Sequence, residues 1–287
     1  MMNDFWQTVD FCPVMDEVST NVLAEQLVRI LFDNRLYDII HGKYNELISS
    51  YGGCEDRFFT VPAASYNASQ MLRKHFDSCD RTGFDLPVWV KLKNLSERDC
   101  TKRIMIVAER PLRNTEAGKG FSLSTPFGMH TPMNEKNNEI VIELVKELLC
   151  KKALVYLTDS IKIYFSNDAC NSKECYCACR AIFDFEMKRF NPDVVLAFGE
   201  VATKAAALQS FNLRFVANAV SDNPIQFPKC QVWSLVHPSK RTLSKVMEEL
   251  DVDTDATVGN RTQYVLTNYY KKVIEQIFGI DKLEKKH

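Results

Sequence analysis

The sequence has no long hydrophobic run, no surplus of one charge and few chain-breaking residues. Its longest apolar stretches, such as Val194–Phe198, fall far short of the roughly 18 residues that a membrane-spanning helix needs. Lysine and arginine total 36 against 37 aspartates and glutamates. Bulk charge therefore does not announce a nucleic-acid binder, and any such binding must come from a local patch. Only 10 glycines and 10 prolines occur among 287 residues, which excludes a collagen-like chain. With 46% hydrophobic and 25% charged residues, disorder and coiled coil are excluded too. No internal repeat or low-complexity segment is present. The opening MMNDFWQTVDFCPVMDEV lacks a basic segment followed by an apolar one, so it does not read as a secretory signal. The expectation is a cytoplasmic protein whose ten cysteines are reduced thiols.

A length of 287 residues suits one large α/β domain or two ordinary ones. The pattern changes near residue 100. Before it, Thr20 or Asn21 caps a helix carrying Val22, Leu23, Leu27, Ile30, Leu31 and Leu36 at three- and four-residue spacing. Tyr51-Gly52-Gly53 breaks the chain, and 54–99 carries mixed signals. We read 1–100 as a mostly helical N-terminal extension and 101–287 as the main domain.

From Arg103 the text alternates. RIMIVA (103–108), ALVYLT (153–158), DVVLAF (193–198) and QVWSLV (231–236) are short apolar runs rich in β-branched residues, and read as buried strands. Between them, Ile140–Leu149, Cys175–Phe190 and Val201–Leu208 read as helices, Asn191-Pro192 stopping the second. Arg241–Leu250 and Thr262–Phe278 read as two more, Gly279 ending the last. Strand and helix in alternation predict an α/β fold: a three-layer sandwich around a four-stranded parallel sheet. In such sheets ligands bind beyond the carboxyl ends of the strands. Glu109, Arg110 and Pro111 follow the first strand, and Asp159 and Ser160 the second. Gly199 and Glu200 follow the third, and His237, Pro238, Ser239, Lys240 and Arg241 the fourth.

These segments carry a family likeness. AERPLRNTEAGKGFSLSTPFG (108–128) resembles the first motif of the uracil-DNA glycosylase superfamily, Gly-Glu-x-Pro-Gly followed by Gly-x-Pro-Phe in its bacterial and archaeal branch. YLTDSIKIYF (156–165) resembles the strand ending in Thr-Asn-x-x-Lys. FNPDVVLAFGEVATKAAAL (190–208) is similar to the strand-turn-helix that follows, and LVHPSKR (235–241) to the closing His-Pro-Ser motif. The likeness covers roughly residues 101–250, in the family's order. Three departures stand out: Ala108 and Leu112 replace the first motif's glycines, Asp159 replaces the Asn, and no Cys-x-x-Cys lies near the N-terminus. Ile163, not cysteine, follows Lys162, and only Cys179 falls where an iron–sulfur ligand is expected. The resemblance thus implies a member without the cluster and without any other cofactor.

The implied chemistry is cleavage of a base from deoxyribose through an oxocarbenium-like sugar, after the nucleotide leaves the duplex. By resemblance, His237 donates a hydrogen bond to the departing base, where negative charge develops. Glu109 polarises water; its plain alternative is a surface carboxylate paired with Arg110 or Arg113. Asp159 reads the base edge. An ionised Asp only accepts hydrogen bonds, whereas Asn both donates and accepts, so uracil's O4 is disfavoured unless burial keeps Asp159 protonated. Phe121 or Phe127 stacks on the flipped base, or else packs in the core. Ser239, Lys240 and Arg241 meet DNA phosphates, with Lys162 and Lys119 extending the patch. Cys170, Cys175, Cys177 and Cys179 crowd one short segment, but Cys-x-Cys-x-Cys is a poor bite for tetrahedral zinc, so unligated thiols are expected. Three readings stay open: a DNA glycosylase, a non-catalytic nucleic-acid or nucleotide binding module of the same fold, and a hydrolase of small nucleosides or nucleotides.

Overall fold

The computed structural model describes residues 9–12, 59–61, 81–111, 120–129, 138–165, 173–207, 225–226, 230–238, 242, 246–247 and 261–279. Eleven strands are seen among them. β1 (Val9–Cys12), β2 (Phe59–Val61), β3 (Arg81–Asp85) and β4 (Val88–Leu92) precede β5 (Arg103–Ala108) and β6 (Gly120–Ser124). Helix α1 (Glu139–Cys150) leads to β7 (Leu154–Asp159) and β8 (Ile163–Phe165), and α2 (Lys173–Phe190) to β9 (Val194–Phe198). Then come α3 (Glu200–Ala206), β10 (Ile225–Gln226) and β11 (Gln231–Leu235). A closing helical segment joins α4 (Arg261–Val265), a π-helical turn (Leu266–Tyr270) and α5 (Lys271–Gly279).

The strands form a seven-stranded sheet in the order β1-β4-β7-β5-β9-β11-β10 and a four-stranded one in the order β2-β6-β3-β8. The four strands expected from the sequence, now β5, β7, β9 and β11, are contiguous and parallel. The expected four-stranded sheet is nevertheless too small and too uniform: antiparallel strands extend it on both sides, so the sheet is mixed. The additions are β4, which is flanked by β1 and β7, and the short outer strands β1 and β10, all of which the sequence signals weakly, whereas β5, β7 and β9 are apolar runs almost wholly buried. Strands from either side of residue 100 share both sheets. The helix expected from Thr20 or Asn21 lies outside the described residues, as does most of the one expected over Arg241–Leu250.

Alternation of side chains along each strand divides the main sheet into two faces. Ile104 and Ile106, Val155 and Leu157, Leu196 and Phe198, and Trp233 and Leu235 join α1, the π turn and α5 in one core cluster. On the opposite face Trp89 and Tyr156 meet Phe190 of α2, with ring centroids 5.4 and 5.0 Å apart. Helices therefore cover both faces. Leu148, Leu149 and Leu196 are fully buried; truncating any one to Ala removes about 2–5 kcal/mol.

Local signals explain the element ends. Asn191 takes a left-handed φ of 48° after α2, and Pro192 prevents continuation. Gly199, at φ 87°, turns β9 into α3, and a Cβ placed there meets nothing within 4 Å. The glycine is thus required by backbone conformation and not by space. Among the described residues, no helix is long and apolar enough to cross a membrane.

Candidate active site at the carboxyl edge of the sheet

Three loops meet where β5, β7 and β11 end. The first two are laced together: Ser160 N–H donates to the Ala108 carbonyl at 2.9 Å, and Ile161 N–H to the Glu109 carbonyl at 2.9 Å. The Ser160 hydroxyl adds a second bond to Glu109's carbonyl at 2.8 Å. Three hydrogen bonds over so few residues hold the backbone beneath Glu109 and Asp159 in fixed register. Asp159 ends β7 opposite Ala108, and only 2% of it is exposed. It follows Val155 and Leu157 in alternation, which assigns it to the sheet face that bears Phe198.

His237 stands two residues past β11. Its ring lies 6.4 Å from Phe127 and 6.3 Å from Phe198, centroid to centroid, and the two phenylalanines meet edge-on at 6.0 Å. The imidazole is half-buried. Burial pushes its pKa below the ordinary histidine value of 6.5, and the negative charge of Glu109 opposes that shift. It is therefore neutral at pH 7, able to donate from one nitrogen and accept at the other. The Thr242 hydroxyl donates to the carbonyl of His237 and secures the loop beyond it.

Phe127 reaches this cluster at a cost to the backbone. Its φ of 59° lies in the left-handed region, unusual for a bulky residue, and Gly128 follows at 61°. Asn138 Nδ2 donates to the Phe127 carbonyl and Gly128 N–H to that of Thr125 at 2.8 Å. Specific hydrogen bonds thus hold this phenylalanine in a sparsely populated backbone conformation.

Glu109 is 39% exposed and pairs with Arg110 at 3.1 Å. That pairing is the surface alternative raised from the sequence, and its carboxylate still acts on His237. Lys162 corrects an expectation. It was expected to extend a basic DNA-facing patch, but it is 1% exposed and bonded to Glu186. Its Nζ also donates to Thr158 Oγ1 at 2.6 Å and lies 5.5 Å from the Phe183 ring. The Thr158 hydroxyl sits 3.1 Å from both Glu186 oxygens. A lysine desolvated in this way holds the loop after β7 onto α2 and cannot reach a phosphate. Burial raises the Glu186 pKa, and the Lys162 charge opposes the rise.

Phe121 falls in β6 of the smaller sheet, its side chain outside the described residues. Ser239, Lys240, Arg241, Lys119 and Cys170 lie outside them too, as do the side chains of Cys175 and Cys177 in α2. Cys179 is buried, and its Sγ accepts the Lys162 N–H at 3.3 Å. Among the described residues no three His, Cys, Asp or Glu side chains are grouped to hold a metal ion. The sequence has no Cys-x-x-Cys, and Cys179, the thiol that falls where an iron–sulfur ligand is expected, packs against a peptide N–H.

The model of the Uracil DNA glycosylase superfamily matches residues 96–255, more than half of the 287. The chain belongs to the uracil-DNA glycosylase superfamily. No curated protein matches it. All four motif segments of this superfamily member fall inside the match, whereas α4, the π turn and α5 follow it. Several site neighbours escape sequence reading. Phe198 looks like a core strand residue, and Tyr269 and Tyr270 like the apolar side of a helix. Glu186 alone had a usable signal: it sits in the buried stripe Ile182, Phe183, Met187 and Phe190, where a carboxylate needs a partner.

Proposed function

We propose that this member of the uracil-DNA glycosylase superfamily is a DNA glycosylase, hydrolysing the N-glycosidic bond of a deaminated or damaged base flipped into the carboxyl edge of its main sheet. The observation that carries the reading is the neutral imidazole of His237, flanked by Phe127 and Phe198 and within the field of Glu109. As the glycosidic bond lengthens, positive charge grows on the sugar and negative charge on the base. A neutral histidine donates to the base without first losing a proton, and its desolvated setting strengthens that bond. Glu109 polarises the attacking water or steadies the sugar cation. Phe127 offers a stacking face, and Phe121 remains a candidate for the same task. Ser239, Lys240 and Arg241 supply phosphate contacts.

Base choice rests on Asp159. Buried at the strand end, an ionised carboxylate rewards N–H groups and penalises carbonyl oxygens. The edge of the base that faces Asp159 would therefore present an N–H, such as N3–H of uracil or N1–H of hypoxanthine and xanthine, with no carbonyl such as uracil's O4 set against the carboxylate.

Oligonucleotides bearing uracil, hypoxanthine or xanthine, single- and double-stranded, test the reading through alkali-labile abasic sites. Cleavage of at least one is expected, with a fall of about 100- to 1,000-fold in His237→Ala, the loss typical of one such donor. A second reading has its own support. Ala108 and Leu112 stand where the motif has glycine, and Glu109 is tied to Arg110. Those features suit a binding module that has lost turnover, and binding without cleavage would establish it. Turnover of free nucleosides alone would replace both readings.

A further inference from the structure

We propose that Tyr269 and Tyr270, in the π-helical turn of the closing helical segment, are positioning residues that fix His237 by gripping both polar backbone groups of Val236. The Val236 N–H donates to the Tyr269 hydroxyl at 3.0 Å, and the Tyr270 hydroxyl donates to the Val236 carbonyl at 2.7 Å. Both tyrosines are essentially buried, at 1% and 0% exposure.

Strand geometry explains why a grip is needed there. Leu235 is the last residue of β11 to pair with β9, and its carbonyl accepts the Gly199 N–H at 2.9 Å. Along a strand the polar groups of successive residues point to opposite edges. Those of Val236 therefore point away from β9, toward the side of β10. Among the described residues that strand pairs only with Gln231 and Val232, and none of them pairs with Val236 as a strand. An extended peptide with neither water nor a partner strand loses free energy for each unpaired group. The two hydroxyls serve Val236 as a partner strand would, one accepting and one donating.

The same turn reaches the site's side chains. The Tyr270 ring meets Phe198 edge-on at 6.1 Å, and Phe198 flanks His237. Tyr269 packs edge-on against Tyr270 at 4.7 Å. Consecutive residues of an ordinary helix diverge by about 100°, given 3.6 residues per turn. A π turn is wider, and such turns gather at functional sites. Burial pushes the Tyr270 pKa far above its ordinary value of 10, so its hydroxyl stays a donor throughout the neutral range. Both tyrosines lie beyond the family match, which stops at residue 255.

The effect on catalysis rests on the glycosylase reading; the effect on the imidazole does not. Tyr269→Phe, Tyr270→Phe and the double variant, made in the full chain, keep both rings and remove only the hydroxyls. In histidine-labelled protein the His237 Cε1–Hε1 resonance, assigned with His237→Gln, is expected to move and broaden in the double variant. Tyr264→Phe, on the same helical segment, should leave it in place. With a cleaved oligonucleotide, kcat should fall roughly 10- to 100-fold and KM stay within about twofold, the signature of a misplaced group and not of lost binding. A folded double variant whose His237 resonance superimposes on that of the wild type overturns the inference. Should the double variant unfold, each single variant is judged by the same resonance. If the wild type cleaves nothing, the glycosylase reading fails while the resonance still decides this one.

Discussion

Lys162 and Glu186 form an ion pair from which water is excluded, their side chains 1% and 0% exposed. One comes from the loop after β7 and the other from α2, so the pair fastens the carboxyl end of β7 to the helix layer behind it. Taking two charges out of water is expensive, and their attraction offsets this only while both are present.

Lys162→Met should therefore be strongly destabilising, by about 3–5 kcal/mol, because it strands the Glu186 carboxylate. Adding Glu186→Leu should restore most of that loss. Urea unfolding of the two variants checks the pair; a single substitution costing under about 1 kcal/mol would mean that the charges are solvated.

The proton affinity of His237 sets a pH dependence. Its folded pKa lies below 6.5, the ordinary value, so as pH falls the unfolded chain takes up that proton before the folded one does. Stability contributed by the neutral ring is complete above that value and declines as pH drops from it toward the folded pKa. Between about pH 7.5 and pH 5 the wild type should lose more stability than His237→Gln. Activity, if carried by the neutral ring, should hold below 6.5 before its acid limb begins. An acid limb above that value would contradict a desolvated imidazole.

Gly199→Ala tests backbone demand apart from packing. With φ at 87° and open space around the position, the expected loss is about 1–2 kcal/mol, all conformational. Thermal unfolding should report a lowered midpoint with no change in far-ultraviolet dichroism. An unchanged midpoint would show that the turn into α3 relaxes freely.

Phe127 combines a left-handed backbone with the proposed stacking role. Phe127→Gly should relieve the left-handed conformation while losing ring contacts with Phe198, leaving net stability changed by about 1 kcal/mol or less. Binding of a flipped base should nevertheless weaken by about 1–3 kcal/mol, the usual worth of one stacked base. Calorimetric titration with an abasic-analogue duplex against one carrying the base isolates that term. Equal affinities for wild type and variant would assign the stacking face elsewhere.

The central strands were legible because each is a continuous apolar run, and because Asn191-Pro192 and Gly199 mark their neighbours' ends. β1, β4 and the smaller sheet were not. Val88–Leu92 ends in a lysine and a leucine at the half-buried margin, and its partners lie far along the chain. His237, Glu109 and Asp159 were singled out by their place at or after strand ends and by the family likeness. Lys162 was misjudged because a lysine in a loop is usually solvated, and nothing nearby in sequence announces Glu186 as its partner. Helical spacing marks Tyr269 and Tyr270 as inward-facing but is silent on where a hydroxyl lands. The left-handed turn at Phe127 was equally hidden, since Pro126-Phe127-Gly128 suggests that the glycine alone carries the unusual angle.

Only Ser160, Ile161 and Lys162 separate the main sheet from the smaller one along this path, with β7 before them and β8 after. A link so short, anchored at each end, behaves as a strut and not as a flap. Under the glycosylase reading, this part of the rim resists deformation, and the bending and unstacking of a bound duplex fall to the nucleic acid. Lesions that already loosen their own helix would then be selected before a single base edge is read.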